Sequence, residues 1–65
     1  MTGTIKTLNT QKGFGFILAT DGREYFFHHS AVKNARFDAM RQGDEVTFDD
    51  TEGKQGPRAE RVYAA

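Results

Sequence analysis

Lys12-Gly13-Phe14-Gly15-Phe16-Ile17-Leu18 is followed, after a short polar break, by Tyr25-Phe26-Phe27-His28-His29, and these twelve positions hold five of the chain's eight aromatic residues and both histidines. In the first run glycines at 13 and 15 alternate with phenylalanines at 14 and 16. Side chains on a strand alternate between faces, so the alternation predicts both rings on one face and both glycines on the other. A strand that only fills a core is better served by branched aliphatics, whereas rings displayed on a rigid sheet suit stacking against flat ligands such as nucleobases. The competing reading is that Phe14 and Phe16 are ordinary core rings, since so short a chain needs apolar bulk.

Between the two runs, Asp21-Gly22 is the strongest hairpin signal in the chain, because both residues tolerate the backbone angles that tight turns demand. A strict two-residue turn would set Phe16 opposite Phe27. A loop one residue longer makes residues whose numbers sum to 42 face each other, placing Phe16 opposite Phe26, Phe14 opposite His28, Gly15 opposite Phe27 and Ile17 opposite Tyr25. The longer loop is preferred here: it collects Phe14, Phe16, Phe26 and His28 on one face and leaves Tyr25 and Phe27 to the core.

The remainder reads as short strands broken by turns, with no segment long and periodic enough for a helix. Strands are expected over 2–9 with Ile5 as core anchor, about 14–20, about 24–28, 45 to about 49 with Val46 and Phe48 inward, and about 58–63. Residues 51–57 read as a flexible polar loop, Ser30-Ala31-Val32 as a single turn, and 33–43 as an irregular connection. In that connection Met40 reads as core filler, while Phe37 is divided between core and an exposed loop ring. Five short strands in 65 residues are most economically closed into a small, antiparallel, partly open barrel, so the fold class is all-β and the chain one domain, 1–65.

Composition narrows the chemistry. There is no cysteine, which removes disulfides, thiolate metal sites and thiol nucleophiles and fits a reducing compartment. No apolar run is long enough to cross a bilayer, and the expectation is a soluble cytoplasmic chain without membrane attachment. Formal net charge is zero, but residues 1–33 carry four basic and two acidic groups and residues 34–65 five and seven, so the aromatic half is the basic half. His28 and His29, read as neighbours on a strand, point to opposite faces and cannot readily share a metal ion. Ser30 lies in no nucleophile elbow, and Gly53-Lys54 lacks the rest of a phosphate-binding loop. The expectation is a protein that is not an enzyme, holding no cofactor, no metal and no small-molecule substrate.

With the motifs in this order, the chain resembles the bacterial cold-shock proteins: Lys12 to Ile17 is similar to the family's first ribonucleoprotein motif and Tyr25 to Val32 to its second. The similarity runs through Gly3, Lys6 and Asn9, Phe37, Gly43, Val46, Phe48 and Gly56-Pro57. It implies a five-stranded oligonucleotide-binding (OB-fold) barrel that binds single-stranded RNA or DNA, and an RNA chaperone and regulator of transcription or translation in cold or stress adaptation. It carries stacking and backbone-contact roles onto Lys6, Lys12, Phe14, Phe16, Phe26, His28 and Phe37. The chain departs from the pattern at Thr7-Leu8, where the family usually has tryptophan and phenylalanine, and at His29, where a phenylalanine is usual. Each base–aromatic stack is worth roughly 1–3 kcal/mol, so these departures predict weaker binding or a shorter footprint. His29 remains a smaller ring at the site, and Arg58 and Arg61 stand where the pattern is often neutral and return phosphate attraction. The alternative is an OB-fold protein-interaction module with weakened or lost nucleic-acid binding. A monomer is expected, a strand-exchanged dimer being the other arrangement that the long loops allow.

Overall fold

The computed structural model describes residues 1–53 and 56–65. Five strands form a closed barrel: β1 (Thr2–Asn9), β2 (Phe14–Ala19), β3 (Glu24–His28), β4 (Glu45–Gly53) and β5 (Gly56–Ala64), in the order β1-β2-β3-β5-β4 with β1 pairing back to β4. Single 3₁₀ turns at His29–Ala31 and Phe37–Ala39 punctuate the connection from β3 to β4. The neighbours are antiparallel except β3 and β5, which meet in parallel at Phe26 and Arg58. That pair seams the barrel, and a second parallel bridge, Val32 to Val62, extends the seam.

The β2–β3 hairpin has the longer-loop register. Phe14 faces His28, Gly15 faces Phe27, Phe16 faces Phe26 and Ile17 faces Tyr25. The Gly22 N–H donates to the Ala19 carbonyl at 3.0 Å, and Gly22 takes φ +84°. A type I turn followed by a left-handed residue is the usual three-residue hairpin loop. Asp21 reinforces it by accepting from the Arg23 backbone N–H at 2.9 Å.

Inward residues make one core: Ile5, Ile17, Tyr25, Phe27, Met40, Val46, Phe48 and Val62, with Ala19 and Ala59 where strands approach closely. The expected anchors Ile5, Met40, Val46 and Phe48 all lie in it. Gly15 faces the same interior. A β-carbon there would stand 2.7 Å from the Thr7 carbonyl oxygen and 2.8 Å from Phe27 Cε1, so its hydrogen makes room for a fully buried ring.

Three expectations are corrected. Gly13 does not share Gly15's face, because it precedes β2 in a turn at φ +76°. Strands β4 and β5 run past 49 and begin before 58: Thr51 pairs with Arg58, Glu52 with Pro57 and Gly53 with Gly56, so most of the expected loop 51–57 is a two-stranded ribbon. The ribbon projects beyond the core, which leaves its residues polar on both sides and without the alternation that marks a strand. The rest of that loop, Lys54 and Gln55, lies outside the described residues. Finally, His29 has left the strand and begins a 3₁₀ turn, so the two histidines do not alternate across the sheet.

Candidate nucleic-acid interface

The outward faces of β2 and β3 carry Phe14, Phe16 and Leu18 beside His28, Phe26 and Glu24. Phe14, Phe16 and Phe26 form a triangle with centroid separations of 6.2, 5.6 and 5.8 Å. Phe14 and Phe26 are tilted by only 32°, whereas Phe16 stands nearly edge-on to both, at 89° and 72°. The three rings are half-buried, held by their neighbours with part of each surface in water. The core reading of Phe14 and Phe16 is therefore set aside, because the core is complete without them. A rigid apolar surface open to solvent is what a base needs in order to stack.

The platform continues past the end of β3. The centroids of His28 and His29 lie 4.2 Å apart and those of His29 and Phe37 6.1 Å, while Phe37 also meets the buried Phe27 ring edge-on at 5.9 Å. Phe37 thus resolves as both alternatives: half-buried, seated on the core through one edge and turned to the surface beside His29. His29 reaches this position because the Gly13 carbonyl accepts its N–H at 2.8 Å and because Gly13 has no side chain, a β-carbon there being 2.5 Å from His29 Cδ2. The two imidazoles are side by side rather than on opposite faces, which corrects the premise used against a shared ion. Among the described residues no third His, Cys, Asp or Glu joins them. His28 is held from below: its Nδ1 accepts from the Ser30 N–H at 3.3 Å and lies 2.9 Å from Ser30 Oγ.

Cations frame the rings unequally. Arg58 on β5 places its guanidinium carbon 5.7 Å from the Phe26 centroid, and Lys12 projects from the turn before β2 into the hollow lined by His29, Arg36 and Phe37. Neither is in an ion pair among the described residues. Lys6, which the family pattern assigns to backbone contact, reaches over β2 to Glu24 Oε2 at 2.6 Å, so a phosphate must compete with a carboxylate for it. Arg61 is likewise engaged, with Asp49 at 2.5 Å. Arg23 pairs with Glu52 and Arg36 with Asp38, both at 3.1 Å. Among the described residues, the cations that lie beside the rings and outside these ion pairs are Lys12 from the basic half and Arg58 from the other.

The departures at Thr7-Leu8 separate once their neighbours are known. Thr7 is exposed and pairs with Phe16, so a ring there would lengthen the platform and its absence truncates it. Leu8 pairs with Gly15 and packs partly against the core, so its substitution changes packing rather than a stacking surface. What the sequence reading missed is the wall opposite the rings: Gly53, Gly56 and Pro57 of the β4–β5 ribbon enclose a cleft with Phe16, Phe26, His28 and Arg58.

Comparison with known proteins agrees with this geometry. The family model described as "'Cold-shock' DNA-binding domain" matches residues 1–65. The chain is 44% identical over 61 residues to the cold shock-like protein CspLB of Listeria monocytogenes, covering 94% of this chain and 92% of that one. It is 43% identical over 60 residues to cold shock protein 2 of Lactiplantibacillus plantarum, covering 92% and 91%. Among solved structures it superposes on Drosophila Unr CSD456 with a TM-score of 0.78 at 29% identity, covering 98% of this chain and 26% of that longer one. With the barrel, both aromatic motifs and a full-length family match in place, the chain belongs to the cold-shock domain family.

Proposed function

We propose that this protein binds single-stranded RNA or DNA by stacking unpaired bases on Phe14, Phe16 and Phe26, with His28, His29 and Phe37 continuing the track and Lys12 and Arg58 meeting phosphates. The observation that carries the reading is the solvent-facing ring triangle on a barrel whose core is already filled by other side chains. A duplex hides its base faces, so the platform selects open strands by geometry. By linkage, a protein that binds only the open strand shifts weak hairpins toward melting without a nucleotide cofactor. This is the physical basis for an RNA-chaperone role in cold adaptation, when base pairing is tightest, acting in the cytoplasm on transcription or translation. No bond is made or broken in this scheme and no small molecule enters it. A single copy presents the whole platform, so no second chain is required.

The rival protein-interaction reading has no comparable observation behind it. A titration of fluorescein-labelled pyrimidine-rich hexamers, single-stranded and annealed, decides between the two. The single strand should bind and the duplex bind at least tenfold more weakly. Phe16→Ala and Phe26→Ala should each cost roughly 1–3 kcal/mol of binding while the barrel stays folded. Unchanged affinity in both variants would sink the platform.

A further inference from the structure

We propose that the cleft between the ring platform and the β4–β5 ribbon is a guanine-selecting subsite, with Arg58 as its specificity-determining residue; the proposal rests on the single-strand reading above. The cleft is walled by Phe16 and Phe26 on one side and by Gly53, Gly56 and Pro57 on the other, with His28 and Arg58 supplying its only polar side chains among the described residues. Both of these are hydrogen-bond donors. Arginine has five N–H groups and no acceptor. For His28, Nδ1 accepts the Ser30 backbone N–H, a group that can only donate, so the ring proton sits on Nε2 and that nitrogen donates to a ligand.

Position reinforces the chemistry. Arg58 is the residue paired with Phe26 across the parallel β3–β5 seam, so its backbone is fixed beside the ring. Its aliphatic stem lies along Gly53, where a β-carbon would be 3.8 Å from both Arg58 Cβ and Cδ. The guanidinium carbon is 5.7 Å from the Phe26 centroid, which is too close for a base to be sandwiched between the two, since each stacked layer needs roughly 3.5–4 Å. A base stacked on the platform therefore meets Arg58 with its edge rather than its face.

An edge read by a donor fork must offer adjacent acceptors. Guanine does so with O6 and N7, whereas adenine sets its N6 amino donor beside N7, and cytosine turns an amino group to the same side. Thymine and uracil offer carbonyls separated by an N–H, which suits a single contact rather than a fork. Stacking alone cannot separate guanine from adenine, because both are purines with similar faces. A guanine-over-adenine preference is thus the signature of the donor edge, in which Arg58 supplies the fork beside the single His28 donor, and not of the phenylalanine rings.

The test is fluorescence anisotropy with thymidine hexamers in which one position, moved in turn along the strand, carries guanine, adenine or 7-deazaguanine. At the best position guanine should bind about 5- to 10-fold more tightly than adenine, the low end of what a bidentate pair provides, since the site is open to water. 7-Deazaguanine, which lacks N7, should lose most of that advantage. Arg58→Gln should weaken every hexamer by a common factor through the lost charge and, beyond that, abolish the preference for guanine over adenine, and Arg58 is exposed, so the variant keeps the fold. Equal affinity of wild-type protein for guanine, adenine and 7-deazaguanine hexamers at every position, with binding itself intact, overturns the subsite and leaves the platform standing. Binding of no hexamer overturns both readings. A guanine preference that survives Arg58→Gln removes Arg58 as its cause.

Discussion

Two glycines in one motif act for different reasons. Gly13 needs its left-handed backbone and yields space to the His29 ring, whereas Gly15 has ordinary strand geometry and yields space inward to Phe27. Gly15→Ala should therefore destabilise the barrel without touching the binding face. A β-carbon 2.7 Å from a backbone oxygen and 2.8 Å from a fully buried ring forces a shift of β2 or Phe27, at about 1–3 kcal/mol. In a domain of this size that lowers the melting temperature by roughly 4–8 °C per kcal/mol, read by circular dichroism. An unchanged melting temperature would show that the close approach between β2 and Phe27 is not a constraint.

At the scale of the element, the β2–β3 hairpin makes the ring platform, and Asp21 governs its loop. Its carboxylate accepts from the Arg23 backbone N–H and from the Tyr25 hydroxyl, both at 2.9 Å. The Arg23 N–H first, then the Tyr25 hydroxyl and the Arg23 charge, hold Asp21 below its usual value near 3.8. Tyr25 moves the other way, raised above 10.0 by its bond to Asp21 and by burial. The signs follow by linkage. Asp21's contribution to stability is complete above about pH 3.8 and is lost as pH falls through its lower folded value. That of Tyr25 is complete below pH 10.0 and is lost as pH rises through its higher folded value. Asp21→Asn should flatten the acid limb of the stability profile in urea melts. It should also bring the Tyr25 transition at 295 nm down toward the ordinary phenol range. A Tyr25 transition that stays where it was would remove the loop hydrogen bond from the account.

For the whole molecule, the decisive quantity is how few cations remain to meet phosphates. Among the described residues, Arg23, Arg36 and Arg61 are paired with acids, Lys6 is shared with Glu24, Lys33 and Arg41 are in no ion pair but line neither the cleft nor the His29 hollow, and Lys12 and Arg58 flank the rings. Binding should weaken with salt along a shallow slope, about −0.7 per phosphate neutralised on a single strand. In a potassium chloride series Lys12→Gln should reduce the slope by about that amount. Lys6→Gln should reduce it less, because Glu24 already offsets the charge. A slope indifferent to Lys12 would place the phosphate path elsewhere.

What the chain carried in its sequence was whatever depends on local pattern. Alternation in Phe14 to Ile17 and Tyr25 to His28, with the turn chemistry of Asp21-Gly22, determined the hairpin, its register and the ring triangle, because strand periodicity and loop length are short-range properties. The barrel class, the inward anchors and the family resemblance followed from the same patterns. What only the tertiary structure decided depends on residues distant in sequence. The His28–His29 adjacency needs a turn after β3 and the vacancy above Gly13, and the partition of Thr7 from Leu8 needs β1 laid against β2 with a bulge between Ile5 and Thr7. The neutralisation of Lys6 joins residues eighteen apart, and the cleft at Arg58 needs a ribbon that carries no periodic signal and a parallel seam that no hairpin rule foresees. Strand alternation assigns a residue to a face; which other strand borders that face is decided only when the barrel closes.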